Sequence, residues 1–334
     1  MNRLVLWCAL LVFLVSTSGY SDQKKIGLIL DRGGKDDKSF NSAAFRGATE
    51  AKAKLGIYLK EIEASDDTLF EPAMRSFAQK KFDLIIGVGV NQAEAMKKVA
   101  RENPDLRFAI IDAVVDLPNV TSLIFDEHDG SYLVGYVAGL KSKTGVVGFV
   151  GGMKIPLIQR FELAYTQGAK AANPKTEVVV NYIGFTSEAW NNPTKAKEIA
   201  KNQYAKKADV IFTAAGASNN AVFDVAADQK KLAIGVDSNQ NWIKPGFILT
   251  SMLKRLDTAV YAVISEVAAG TLRGGTKVFG LKNDGVDWAL NEHNKSLFTT
   301  ADLAKIKTVK DQLIAKKITA KDYYKLHAHT ASSK

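Results

Sequence analysis

Cysteine is almost absent from this chain: 334 residues contain one, Cys8, and it lies in an apolar run near the N-terminus. A lone thiol excludes an internal disulfide framework and a thiolate-clustered metal site. Histidine is also scarce. The four, His128, His293, His327 and His329, are scattered, so no metal-ligand spacing and no histidine base is indicated. No apolar run reaches the roughly 20 residues that a membrane-spanning helix needs. The sequence has no G-x-S-x-G elbow and no phosphate-binding G-x-x-x-x-G-K-[ST] loop, and Gly87 and Gly89 lack the third glycine of a dinucleotide fingerprint.

What is present fits a globular protein, with 46% hydrophobic and 24% charged residues. A length of 334 residues exceeds one ordinary core, so two domains are expected. Residues 1–20 have the layout of a cleavable secretory signal: Arg3, an apolar run over 4–15, then Ser16, Thr17, Ser18 and Gly19. Cleavage between Ser18 and Asp22 would remove Cys8. Trp7 precedes that cysteine where a lipobox needs a small residue, so a soluble, thiol-free protein of a bacterial periplasm is expected, with no lipid anchor. The net charge of +10 comes from scattered lysines without interleaved aromatics, which argues against nucleic-acid binding.

Residues 25–41, KIGLILDRGGKDDKSFN, set the pattern for the rest. An unalternating apolar run reads as a strand covered on both faces. Gly33 and Gly34 allow a sharp turn, and Asp36, Asp37 and Ser39 are N-cap residues for the helix that follows. Ligands of open α/β sheets bind at such strand-to-helix junctions, where Asp31, Phe40 and Asn41 lie. Taken alone, these residues are also what any doubly wound domain carries there, and Phe40 reads equally well as a core residue.

Strand and helix patterns then alternate to residue 141 and begin again at a second glycine-flanked strand over 144–150. This argues for two doubly wound parallel-sheet lobes with right-handed crossovers, an α/β fold. Elements after Asp237 are too few for a third domain and are expected to complete the two lobes. The expected division is 22–134 with about 255–285 for the first lobe, 135–254 with about 286–318 for the second, and a tail over 319–334. A cleft between lobes joined by hinge segments suits closure on a small ligand.

DRGGKDDKSFN, FAIIDAVVDLPNV at 108–120, SYLVGYVAGL at 131–140, GVVGFVGGMKIPLIQRFE at 145–162, AIGVDSNQ at 233–240 and LTSMLKRLDTAVY at 249–261 together resemble the basic membrane protein family. These are purine-nucleoside-receptor-type substrate-binding proteins of ABC transporters, with the type I periplasmic-binding-protein fold. The resemblance runs from about Lys25 to Leu281. It implies a nucleoside ligand, purine preferred, a monomer with no cofactor, and as partners an inner-membrane ABC permease and its ATPase. It implies stacking of the base on Phe40 and on a second-lobe aromatic matched by Trp190, with Phe185 as the fallback. Asp237 and Lys254 match the ribose contacts, Gly216 a close backbone approach to the sugar, and Asp112 and Asn41 polar contacts to the base, with Asp31 as a further contact or a support of the turn. Two other readings stay open: a binding protein for a sugar or a signal read by a membrane sensor, and a nucleoside hydrolase using Asp31, Asp36 and Asp37 around a divalent cation. Lys35 and Lys38 intrude on that last cluster.

Overall fold

The computed structural model of the chain describes residues 23–331. The segment read as a secretory signal, with Cys8, lies outside the described residues.

The first sheet is built from β1 (Lys25–Leu30), β2 (Tyr58–Glu63), β3 (Leu84–Val88), β4 (Arg107–Ile111) and β5 (Val120–Phe125), separated in turn by α1 (Phe40–Leu55), α2 (Phe70–Gln79) and α3 (Ala93–Glu102). After α4 (Glu127–Lys141), the second sheet takes β6 (Val146–Met153), β7 (Glu177–Gly184), β8 (Val210–Ala214), β9 (Leu232–Asp237) and β10 (Ile248–Lys254), with α5 (Pro156–Ala172), α6 (Pro193–Ala205) and α7 (Asn219–Asp228) between them. The chain then returns through α8 (Leu256–Ala268) to β11 (Gly275–Phe279) and crosses back to β12 (Val286–Trp288), α9 (Thr300–Ile314) and α10 (Tyr323–Ala331). The sheets run β11-β5-β4-β3-β1-β2 and β12-β10-β9-β8-β6-β7. All pairings are parallel except β10 with β12.

Both lobes follow from burial. β3 and β8 are buried along their whole length, the signature of strands covered by helices on both faces. α8 packs on α1 in the first lobe, and α4 packs on α5 in the second. Three details differ from the sequence reading. β12 is too short for a periodicity to register. Residues 277–281 read as extended from their sequence, and β11 lies two residues earlier. β6 continues through Gly151 and Gly152 to Met153, because the missing side chains leave room for the Tyr182 and Trp190 rings.

The lobes meet directly in this structure. The Ser39 hydroxyl donates to Asp237 Oδ2 at 2.7 Å, the Ser238 hydroxyl donates to the Ser39 carbonyl at 2.8 Å, and Gln240 Nε2 donates to the Lys38 carbonyl at 2.9 Å. The lobes are therefore in contact at this edge of the cleft.

Candidate functional site

A cavity enclosing about 610 Å³ of empty space, its mouth included, lies between the carboxyl ends of the two sheets. All eight residues singled out in the sequence line it: Asp31, Phe40, Asn41 and Asp112 from the first lobe, and Trp190, Gly216, Asp237 and Lys254 from the second. Phe185, the alternative aromatic, is 79% exposed and does not line it.

The β1–α1 junction is built by Asp37. Its carboxylate accepts from the backbone N–H groups of Ser39 and Asn41 at 2.8 Å and of Ser42 at 3.0 Å, satisfying donors that the helix start leaves open. Gly33 and Gly34, with φ of +102° and +66°, make the preceding turn. Asn41 is largely consumed by this architecture. Its Oδ1 accepts from the Asp31 N–H at 2.9 Å, and its Nδ2 donates to the Arg32 carbonyl and to Asp37 Oδ2, both at 3.1 Å. One acceptor lone pair remains for a ligand.

The two lobes present matching aspartates. Asp112 follows β4 and Asp237 ends β9, and both adopt the left-handed backbone region, with φ of +70° and +64°. Non-glycine residues there are uncommon, and Asp is among those that tolerate it. Lys254, at the end of β10, joins the lobes: its ammonium lies 2.6 Å from Asp112 Oδ2 and 3.1 Å from Glu127 Oε1, with 1% of its side chain exposed. The Phe40, Phe125 and Phe161 ring centroids lie 5.3, 5.0 and 5.7 Å from the same nitrogen.

One ammonium faces the carboxyls of Asp112, Glu127 and Asp237, and this sets the electrostatics. Burial alone would lower the Lys254 pKa, but these acids outweigh it and raise it, so Lys254 stays charged. Burial pushes Asp237 up to about 7, restrained by Lys254 and by the Ser39 hydrogen bond. Asp112 rises to about 6 for the same first reason, with Lys254 opposing. Burial also raises Asp31 to about 7, against the Arg32 N–H hydrogen bond.

The PnrA-like ABC transporter substrate-binding proteins, abbreviated Bmp, match residues 24–323. The chain belongs to that family. It is 33% identical to a Lactococcus lactis subsp. cremoris protein named ABC transporter nucleoside-binding protein BmpA, over 80% of this chain and 82% of that one. It is 32% identical to a Borreliella burgdorferi protein named basic membrane protein D, over 90% of this chain and 89% of that one. In structure it resembles an ABC transporter solute-binding protein from Aeropyrum pernix K1, with a TM-score of 0.82 and 26% identity over 89% of this chain and 92% of the other.

Within this Bmp-family chain, three buried side-chain atoms on cavity-lining residues lack a hydrogen-bond partner among the described residues: Arg32 Nε, Asp112 Oδ1 and Trp190 Nε1. Buried polar groups are rarely left unpaired. The sequence reading missed Arg32, which adjoins Asp31 in the turn, and Phe161, whose position on the apolar face of α5 looks like ordinary core. It also missed Glu127, because only folding brings it to Lys254.

Trp190 reaches the cavity from a short helical turn, Ser187–Asn191, and rests on β6 at Gly152. A Cβ at Gly152 would lie 2.2 Å from the Trp190 ring. Gly152→Ala is therefore expected to displace the indole and weaken ligand binding about tenfold. Tryptophan fluorescence and titration calorimetry check this; an unchanged affinity would separate Trp190 from binding.

The raised carboxyl pKa values give a pH prediction. Between about pH 4 and 7 the folded, empty protein holds protons that unfolded aspartates release, so the three acids favour folding as pH falls from 8 toward 5. His128, which burial depresses, works the other way below about 6.5. Asp302, lowered to about 2 by the Lys141 hydrogen bond, acts only below that window. Comparing urea midpoints of the parent and Asp237→Asn isolates one group: the variant is expected to lose part of the pH dependence between 8 and 5. Identical slopes would show that Asp237 is ionised throughout.

Proposed function

We propose that the protein captures a nucleoside, a purine nucleoside by preference, in the interlobe cavity and delivers it in the periplasm to an inner-membrane ABC permease, without making or breaking bonds. The observation that carries this reading is one cavity that draws an aromatic side chain from each lobe, Phe40 and Trp190, beside the acid and ammonium of Asp237 and Lys254. A base is a flat plane with a π-face, and stacking on an aromatic contributes about 1–3 kcal/mol. A ribose offers two cis hydroxyl donors, and a carboxylate has about four lone-pair sites, so Asp237 can accept both while keeping Ser39. The unpaired atoms of Arg32, Trp190 and Asp112 supply donors and an acceptor for the remaining polar edges. The name of the Lactococcus relative supports the same ligand class.

The hydrolase reading called for Asp31, Asp36 and Asp37 to converge on a divalent cation. Asp37 is instead engaged in capping α1, and among the described residues no group of three or more His, Cys, Asp or Glu is arranged to hold a metal ion.

Thermal-shift titration with inosine, adenosine, guanosine, the free bases, ribose and glucose tests the reading. A purine nucleoside at about 100 times its Kd is expected to add about 2.7 kcal/mol of apparent stability, with little from free base or sugar at equal concentration. A shift with glucose or ribose and none with nucleosides overturns it. Release of free base from inosine would overturn the non-enzymatic part.

A further inference from the structure

Beyond the cavity wall, the Lys254 ammonium is the inner end of a buried row of alternating charges. Glu127, the first residue of α4, places Oε1 3.1 Å from Lys254 Nζ and takes Arg160 Nη1 on Oε2. Arg160, on α5, also donates from Nη1 to the Phe125 carbonyl at 2.8 Å. Its other edge grips Asp322 with two bonds, Nε to Oδ1 at 3.0 Å and Nη2 to Oδ2 at 3.1 Å. Glu127, Arg160 and Asp322 are 1%, 6% and 7% exposed. Asp322 belongs to the segment between α9 and α10, outside the cavity. That segment is tied to α5: Gln167 Nε2 donates to the Thr319 carbonyl at 3.1 Å, and the Lys321 N–H donates to Gln167 Oε1 at 2.7 Å. The Tyr324 ring covers the guanidinium, its centroid 5.5 Å from Arg160 Cζ.

Each link constrains the next. A guanidinium is a rigid planar fork, and two bonds to Asp322 fix its plane. The Glu127 carboxylate has one oxygen on each cation, so a displaced Arg160 draws it away from Lys254. A lysine ammonium sits on a flexible four-carbon stem, so the surrounding anions, not the stem, set its place.

We infer that Asp322, in the C-terminal segment, is a positioning residue for ligand capture, acting through Arg160 and Glu127 to hold the Lys254 ammonium at the cavity wall. This rests on the proposed nucleoside site. The C-terminal segment thereby belongs to the binding machinery although none of its described residues lines the cavity. Asp37, Asp112, Lys254 and the Ser39 hydroxyl are the groups that bear on the ionisation of Asp237. A displaced Lys254 therefore makes Asp237 harder to ionise, an effect that loss of structure elsewhere does not produce.

The test is calorimetric titration of Asp322→Asn with inosine across pH 5.5–8.5, beside the parent and Asp322→Glu. The expected result is affinity weakened about tenfold at pH 8. The pH at which affinity is half lost should rise by about half a unit or more. Asp322→Glu should recover part of both. If Asp322→Asn does not fold, Arg160→Lys, which keeps the charge and loses the fork, takes its place with the same expectation. Affinity within about twofold of the parent, or a uniform loss with an unmoved midpoint, overturns the inference and leaves the nucleoside site standing. A parent that binds none of inosine, adenosine and guanosine overturns the site itself, and this inference with it.

Discussion

Lys254→Met is expected to destabilise the fold by about 3–5 kcal/mol and to abolish nucleoside binding at micromolar ligand. Removing the ammonium leaves Asp112 and Glu127 facing each other with 3% and 2% of their side chains exposed. Methionine fills much of the volume, so the loss reports charge rather than a cavity. Glu127 keeps Arg160, whereas Asp112 loses its cationic partner and escapes the cost by taking up a proton. The deficit should therefore be largest at pH 8 and shrink toward pH 5, measurable as urea midpoints at both. A loss below about 1 kcal/mol at pH 8 would mean that Lys254 is not what keeps these acids buried.

Asp237→Ala is expected to weaken nucleoside binding by two to four orders of magnitude, about 3–6 kcal/mol for two charge-assisted hydrogen bonds. Near pH 8 the empty protein gains from losing an acid whose burial disfavours ionisation and loses the Ser39 hydrogen bond and a residue type that tolerates the left-handed backbone, so its stability should change little. The 2′-deoxy form of the same nucleoside discriminates further. The parent should prefer the ribonucleoside, and the variant should bind both forms alike. Calorimetry provides both numbers. An unchanged affinity, or a preference for ribose that survives the substitution, would remove Asp237 from the sugar contact.

The Asp31, Phe40 and Asn41 junction was readable because it sits at a strand end, where an α/β sheet places its ligand, and the other candidate residues were named through the family resemblance. The unalternating run of β1, the glycines after it and the Asp-Lys-Ser-Phe-Asn stretch pointed to the first wall, and the family resemblance, not the local pattern, singled out the aspartates ending FAIID and AIGVD. What stayed hidden depends on distant segments meeting. Glu127 begins a helix with nothing local to mark it, and Arg160 sits in an amphipathic pattern that reads as surface. Only the fold brings them to Lys254 and Asp322. Asn41 reads as a free amide but spends both its donors on the turn. β12 was missed because three residues carry no period. Trp190 could be named but not placed, since a loop residue's direction depends on the gap that Gly152 leaves on the neighbouring strand.

A crystal structure of the protein grown with inosine tests the central claim most directly. The account predicts the hypoxanthine ring between the Phe40 and Trp190 side chains, with both ribose hydroxyls on Asp237 and a ribose oxygen within hydrogen-bond distance of Lys254 Nζ. Inosine bound elsewhere, or an interlobe cavity holding water alone at saturating inosine, would contradict it.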